Sequence, residues 1–106
     1  MIFIVAKWPV KPEFAEEWPD LVKDFTEATR AEPGNKWFEW SRSLEDPNVY
    51  VLVEAFDDDA AEAHVTSAHF TTATTELPKY LQRTPDIINF SLEQDAWSQL
   101  GEMAVD

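Results

Sequence analysis

Two titratable side chains, His64 and Glu54, stand where this sequence otherwise places apolar residues. His64 falls at helical spacing from Ala60, Ala61 and Ala68, so it lies on the apolar face of the helix that these residues predict. Histidine is the residue type that ordinarily titrates near neutral pH, which suits it to accept a proton from an acidic hydroxyl such as that of a phenol. The alternative is a core histidine whose ring is hydrogen-bonded to a backbone carbonyl or to Glu54.

Glu54 interrupts an otherwise apolar strand, Val49–Phe56. A carboxylate within a sheet must be ion-paired, protonated or in contact with a wet cavity. Arg42, on the neighbouring predicted strand, offers an ion pair across the hairpin. The other interpretation makes Glu54 an acid or base in a pocket, where it orients His64.

His69 precedes Phe70, which belongs to the apolar stripe of the same helical segment, so we expect His69 at the margin of that stripe. His64 and His69 are five residues apart across a predicted helix break, a spacing that does not favour a shared metal ion. The sequence contains no phosphate-binding glycine loop, nucleophile elbow or EF-hand loop. We therefore predict neither a metal site nor a cofactor.

The composition restricts the partners of this chain. It has 106 residues, no cysteine and a formal net charge of −13 at pH 7. The absence of cysteine excludes disulfides, cysteine-ligated zinc and thiol nucleophiles. The negative charge repels nucleic acids and anionic membranes, and no apolar stretch is long enough to span a bilayer. The N-terminal segment lacks the features of a signal peptide, so we predict a cytoplasmic protein.

The length predicts a single domain over residues 1–106, with a C-terminal tail at 94–106. Two amphipathic helical segments run from Phe14 to Ala28 and from Ala60 to Leu81. They alternate with segments of strand character, in the order βαββαβ. The predicted strands are Ile2–Val10, Lys36–Leu44, Val49–Phe56 and Asp86–Glu93.

This order is that of a ferredoxin-like α+β fold, a four-stranded antiparallel sheet with both helices on one face. The strand Val49–Phe56 is apolar on both of its faces, yet the two helices cover only one. A second copy of the chain is the simplest cover for the other face, so we predict a homodimer with its sheets face to face. Trp37 is predicted to lie in that interface.

Several short motifs between Val5 and Leu92 follow one another in a characteristic order. They are Glu32-Pro33-Gly34, Phe38–Ser43, Asp46-Pro47, Leu52–Phe56, Ala63-His64 and Ser67–Phe70. Together they resemble the antibiotic biosynthesis monooxygenase family. The chain departs from the family pattern at Pro12, Phe38, Phe56 and Ala68, where the family has glycine, tyrosine, tryptophan and proline.

The resemblance implies a ferredoxin-like subunit that dimerises into an α+β barrel, with a pocket between the helices and the sheet. It also implies a cofactor-independent monooxygenase, in which O₂ reacts with a small aromatic, polyketide or quinol-like substrate. His64 and Glu54 are then the catalytic candidates. The candidates for substrate binding are Trp8, Phe38, Trp40, Tyr50, Phe56, His69 and Phe90.

Two other functions stay open at this point. The first is a non-catalytic dimeric barrel that binds a small apolar ligand, which the departures at Phe38 and Phe56 favour. The second is haem binding or degradation, which requires a histidine that faces a large pocket. The candidate aromatic residues fit any of these functions, and they also fit an ordinary hydrophobic core.

Overall fold

The computed structural model describes all 106 residues. Its strands and helices follow the predicted βαββαβ order, with each helical segment divided in two. The elements are β1 (Ile2–Pro9), α1 (Trp18–Leu21), α2 (Lys23–Arg30), β2 (Asn35–Arg42), β3 (Val49–Phe56), α3 (Ala61–Val65), α4 (Ala68–Glu76) and β4 (Asp86–Ser91). Short 3₁₀ turns lie at Pro12–Phe14, Leu77–Tyr80 and Gly101–Met103. The longest α-helix has nine residues, and none is of a length and polarity that would carry it through a lipid bilayer.

The four strands form one antiparallel sheet in the order β2-β3-β1-β4. The register places Ala6 opposite Leu52 and Ile87, and Ile4 opposite Glu54. Because side chains alternate along a strand, these residues share one face of the sheet. The helices cover this face, so the predicted ferredoxin-like fold is confirmed.

Both helical segments break where the sequence gives them a reason to break. Pro19 occupies the first turn of α1, and the chain then leaves helical geometry at Val22 before α2 begins. In the second segment the break falls at Ser67, as predicted. Ser67 has an extended backbone, and its Oγ accepts a hydrogen bond of 3.2 Å from the backbone N–H of Phe70, which caps α4.

The core lies between the helices and the covered face of the sheet. Its centre is a group of tryptophans, in which the Trp18 ring meets the rings of Trp8 and Trp40 at centroid distances of 5.8 Å. The indole N–H of Trp40 donates to Thr26 Oγ1 at 2.9 Å, and the Tyr50 hydroxyl donates to a backbone carbonyl at 2.7 Å. These bonds fix β2 and β3 against the first helical segment.

The other face of the sheet carries no helix. Ile88 and Phe90 are 66% and 47% exposed there, and Phe3 packs edge-on against both Phe90 and Trp37. Trp97, from the C-terminal tail, lies 5.3 Å from Trp37 between ring centroids. A row of large apolar side chains therefore remains accessible where a second copy of the chain is predicted to dock.

Candidate functional site

A cavity of about 310 Å³ lies between the covered face of the sheet and the second helical segment. Its floor comes from β1, β3 and β4, and its roof comes from α4 and the turn that follows. Most of the lining is hydrophobic, including Ala6, Trp8, Leu52, Phe70 and Leu77. Two titratable side chains, Glu54 and His64, complete it. The structure thus brings the two catalytic candidates to one apolar cavity.

His64 lies at the end of α3, and only 5% of it is exposed. Its ring packs among aromatic rings, with centroids 4.8 Å from Phe56 and 5.1 Å from Phe70. Its Nδ1 is 2.7 Å from Glu32 Oε2. Because a carboxylate only accepts hydrogen bonds, Nδ1 is the donor, and the neutral ring then has its free electron pair on Nε2. Nε2 makes no hydrogen bond within the chain, so it is the ring atom available to a ligand.

Glu32 holds a second histidine with the same oxygen atom. His69 Nε2 lies 2.5 Å from Glu32 Oε2. Glu32 follows α2, whereas His64 lies in the last turn of α3 and His69 in the first turn of α4. The three side chains converge because Ser67 separates the two short helices. His69 does not line the cavity; it faces a separate groove beside Phe25.

Glu54 lies on β3 with 7% of its surface exposed, and it makes no hydrogen bond or ion pair within the chain. Burial raises the pKa of its carboxyl group from 4.5 to about 7, and the negative charge of Glu32 adds to the effect. Both charged and neutral forms of Glu54 are therefore populated near neutral pH. The cavity holds an acid that is able to give or take a proton.

Two predicted contacts of Glu54 are wrong. Arg42 pairs with Glu16, at 2.8 Å from Nη1 to Oε1, and lies opposite Tyr50 in the hairpin. Glu54 lies opposite Phe38, which precedes Arg42 by four residues in β2, so Arg42 does not approach Glu54. The predicted hydrogen bond between His64 and Glu54 is also absent, because Glu32 is the residue that holds the imidazole.

The aromatic candidates separate into four groups. Trp8, one of the predicted binding residues, lines the cavity. Phe38 and Phe56 are fully buried in the core beside His64 and do not line the cavity. Trp40 and Tyr50 border a different groove, next to the first helical segment.

Phe90 forms the fourth group, since it lies on the opposite face of the sheet. It therefore cannot contact a ligand in this cavity. The cavity wall that the sequence did not assign comes from Phe25, Phe70, Leu77, Leu81 and Ile87. The helical spacing of Phe25, Phe70, Leu77 and Leu81 already predicted that these side chains face the sheet.

Glu32 is the functional candidate that sequence reasoning missed. It stands in the Glu-Pro-Gly turn after α2, where a glutamate is ordinarily solvent-exposed. Its side chain is nevertheless only 13% exposed, because two imidazole rings cover it. The pattern of the turn gives its geometry but not the identity of the residues packed above it.

This arrangement is able to perform proton transfer beside a largely apolar surface. A carboxylate that holds one imidazole nitrogen leaves the other nitrogen oriented as a base. A second carboxyl group in the same cavity is half ionised near neutral pH and supplies the complementary acid or base. The apolar lining suits a flat, largely apolar ligand that carries at least one acidic hydroxyl.

Three comparisons relate the chain to known proteins. "Putative monooxygenase YcnE" of Bacillus subtilis is 28% identical over 95 residues, which cover 89% of this chain and all of that protein. A conserved protein of Methanosarcina mazei has a solved structure with a TM-score of 0.78 and 30% identity, over 84% of this chain and 89% of its own. A solved antibiotic biosynthesis monooxygenase superposes with a TM-score of 0.78 at 23% identity, over 89% of this chain and all of that one.

A family profile also matches most of the chain. The sequence profile described as antibiotic biosynthesis monooxygenase matches residues 1–76, which contain β1 to β3, α3 and α4 and every titratable residue of the site. The predicted resemblance is confirmed: the chain belongs to the antibiotic biosynthesis monooxygenase family.

Proposed function

We propose that this protein is a monooxygenase that uses O₂, without a cofactor, to oxygenate a small phenolic or quinol-like substrate. The observation that carries the proposal is the orientation of His64, whose Nδ1 is held by Glu32 while Nε2 remains free beside the apolar cavity. Family membership supports the reaction type. The cavity supports the substrate class, since its lining favours a flat apolar ring and offers polar groups at few points.

The first step is removal of the substrate's hydroxyl proton by His64 Nε2. Glu32 stabilises the imidazolium that forms, because its carboxylate lies 2.7 Å from Nδ1. The resulting phenolate is electron-rich and passes one electron to O₂, which gives a substrate radical and superoxide. These combine at a ring carbon to form a C–O bond and a peroxide.

The peroxide then collapses to the product. The ring carbon loses its hydrogen as a proton, the O–O bond breaks, and a carbonyl forms at that carbon. The departing oxygen takes up two protons and leaves as water, so one atom of O₂ enters the product and the other enters water. The substrate supplies all four electrons that reduce O₂. A phenol with a free ring position therefore becomes a quinone, and no external reductant is needed.

Glu54 has the properties needed for the later proton movements. Its pKa of about 7 leaves a large protonated fraction at neutral pH, and that form is able to donate a hydrogen bond to the developing peroxide. Its position in the cavity wall places it on the side of the sheet, opposite the helix that bears His64. A substrate between them would contact one group on each side.

The test is O₂ consumption with a panel of hydroquinones, naphthols and anthrones. His64→Asn is the decisive variant, because an asparagine amide is able to donate to Glu32 while Nε2 is removed. We expect a loss of about 10²–10⁴-fold in kcat/KM, with only a small change in Tm. His69→Asn is the matched control, since it loses a contact with the same carboxylate outside the cavity and should retain more activity.

Two outcomes would contradict the proposal. One is a large fall in Tm for His64→Asn with activity per folded molecule preserved, which would show a structural histidine. The other is full activity in the folded variant, which would place the base elsewhere.

The second candidate function is non-catalytic binding of a small apolar ligand, or of haem. The observation that favours it is the almost entirely apolar cavity lining. Absence of O₂ uptake across the panel, together with saturable binding of the same compounds, would support this function. A Soret band on titration with haem would separate the haem case from the others.

A further inference from the structure

The Glu32 carboxylate offers a second chemistry, because it contacts both His64, which lines the cavity, and His69, which faces the separate groove. Glu32 Oε2, His64 Nδ1 and His69 Nε2 all lie within 4.8 Å of one another. The two nitrogen-to-oxygen distances are 2.7 and 2.5 Å. His69 has no part in the proposed oxygenation, yet it is drawn to the same oxygen atom as His64.

We propose that Glu32, His64 and His69 form a binding site for one divalent transition-metal ion of the zinc type. Two imidazoles and one carboxylate are a donor set that zinc and its neighbours prefer, and three protein ligands leave a fourth position for water or another small ligand. The five-residue spacing of the histidines did not favour a shared metal ion, but the folded chain brings both rings to one carboxylate oxygen.

To accept the ion, the nitrogens of His64 and His69, which lie up to 4.8 Å apart, must approach each other by up to about 1.5 Å. Metal–ligand distances of about 2.0–2.2 Å place neighbouring ligand atoms of a tetrahedral site about 3.3 Å apart. The carboxylate would withdraw from each ring by less than about 1 Å as the metal replaces the two hydrogen-bonding protons. Each ligand lies on a different segment of chain, and Ser67 fixes the angle between the two helices that carry the histidines.

The local charge favours a cation. Glu32 is negative and makes no ion pair with any lysine or arginine. Arg30, the nearest basic residue along the chain, donates instead to the backbone carbonyl of Phe38 at 2.8 and 3.0 Å. Glu54 feels the negative charge of Glu32 across the cavity. A divalent ion would neutralise a largely buried carboxylate that no lysine or arginine pairs with.

Metal binding has a direct consequence for the proposed oxygenase reaction. This consequence, unlike metal binding itself, rests on the proposed function. A metal on Nδ1 requires that the ring proton of neutral His64 lie on Nε2, and Nε2 then cannot accept a proton from a substrate. The bound ion would therefore inhibit the metal-free reaction. Binding itself is independent of whether the protein oxygenates anything.

The experiment is titration of chelator-treated full-length protein with Co²⁺, followed by displacement with Zn²⁺. We expect one equivalent of Co²⁺ to give the intense visible absorption of a four-coordinate site, and Zn²⁺ to abolish it. His69→Asn and Glu32→Gln should each weaken Co²⁺ binding by more than the roughly 10–100-fold that loss of an outer partner costs. Asp59→Asn, in the exposed acidic segment before α3, is the control for nonspecific binding and should change nothing.

Wild-type protein provides a measurement that no folding defect affects. In long-range ¹⁵N–¹H spectra of the imidazoles, Zn²⁺ should shift His64 Nδ1 and His69 Nε2 together at one equivalent. Binding that is weak and octahedral, that survives both ligand variants, or that leaves both imidazoles unshifted would overturn the proposal. Turnover without a Co²⁺ spectrum would overturn this site and leave the oxygenase reaction standing, whereas a Co²⁺ spectrum without turnover would support this site and contradict the oxygenase reaction.

Discussion

Replacing Glu54 with glutamine should make the protein increasingly more stable than the wild type as the pH rises towards 8, because the carboxyl group of Glu54 is buried without a partner. Glu54 lies on β3 with no hydrogen-bond partner and no ion pair. Glutamine has nearly the same shape but no charge. The substitution therefore removes the cost of burying an ionised carboxylate while it leaves the packing against Phe38 and Ile4 in place.

The pKa of Glu54 sets the sign and the magnitude of the effect. Its pKa rises from 4.5 to about 7 on folding, so between these values the folded protein holds a proton that the unfolded chain has released. The stability of the wild type therefore falls as pH rises through this window and becomes constant above it. The full cost is about 3 kcal/mol, of which about 2 kcal/mol lies between pH 5.5 and pH 8.

The assay is urea unfolding of both proteins at equal concentration across this pH range. Starting at pH 5.5 keeps the samples away from the isoelectric point near 4.3, where solubility is lowest. We expect the free energy of unfolding of Glu54→Gln to exceed that of the wild type by an amount that grows by about 2 kcal/mol towards pH 8. Glu102→Gln, in the exposed tail, should follow the wild-type curve.

Other titrating groups near Glu54 do not change this comparison. Glu32 and His64 are the titratable groups that face it from the helical side, and both are present in each protein. Their own contributions therefore enter both curves, and the coupling between the charges of Glu32 and Glu54 forms part of the measured difference. A difference between the two proteins that stays constant from pH 5.5 to pH 8 would show that Glu54 ionises like an exposed glutamate, and the assignment of a cavity acid would fail.

Two further predictions concern assembly and packing. Sedimentation at micromolar concentration should give about twice the chain mass of 12.2 kDa, and Trp37→Asp should weaken association by about 3 kcal/mol or more; a wild-type monomer would contradict the face-to-face sheets. Gly34→Ala should lower stability by about 2 kcal/mol or more, because its new Cβ would lie 2.1 Å from Ala60 Cβ, whereas Gly101→Ala, with open space around it, should be neutral in thermal unfolding. Equal melting temperatures for the two glycine variants would contradict the packing argument.

The sequence was most informative where a local pattern determines structure. The third strand was predicted with its observed bounds, Val49–Phe56, because a continuous apolar run between two turns leaves little choice of register. The break at Ser67 was predicted because the helical stripe changes there. The faces of β2 were also predicted, with Trp37 and Phe38 on opposite sides, since alternation is a property of any strand.

The predicted ion pair between Arg42 and Glu54 is wrong because the two residues lie too far apart along the hairpin. The hairpin register pairs Arg42 with Tyr50 and Phe38 with Glu54. Two residues on the same face of a hairpin meet only when they are nearly opposite, and four residues of offset separate them by about 13 Å. The turn at Glu45–Asn48 already specified this register. Arg42 and Glu54 do share one face of the hairpin, as predicted, but they are not neighbours on it.

The convergence of Glu32, His64 and His69 could not be predicted from the local sequence pattern. On one continuous helix, residues five apart point about 140° away from each other, and the predicted break between His64 and His69 did not indicate where the second ring would lie. Here Ser67 ends one helix and caps the next, so the second ring is carried by a helix with its own axis. The turn after α2 then places Glu32 between the two rings. Local sequence specifies each of these breaks, but only the packing of α2 against α4 brings their ends to one point, and both proposed chemistries depend on that packing.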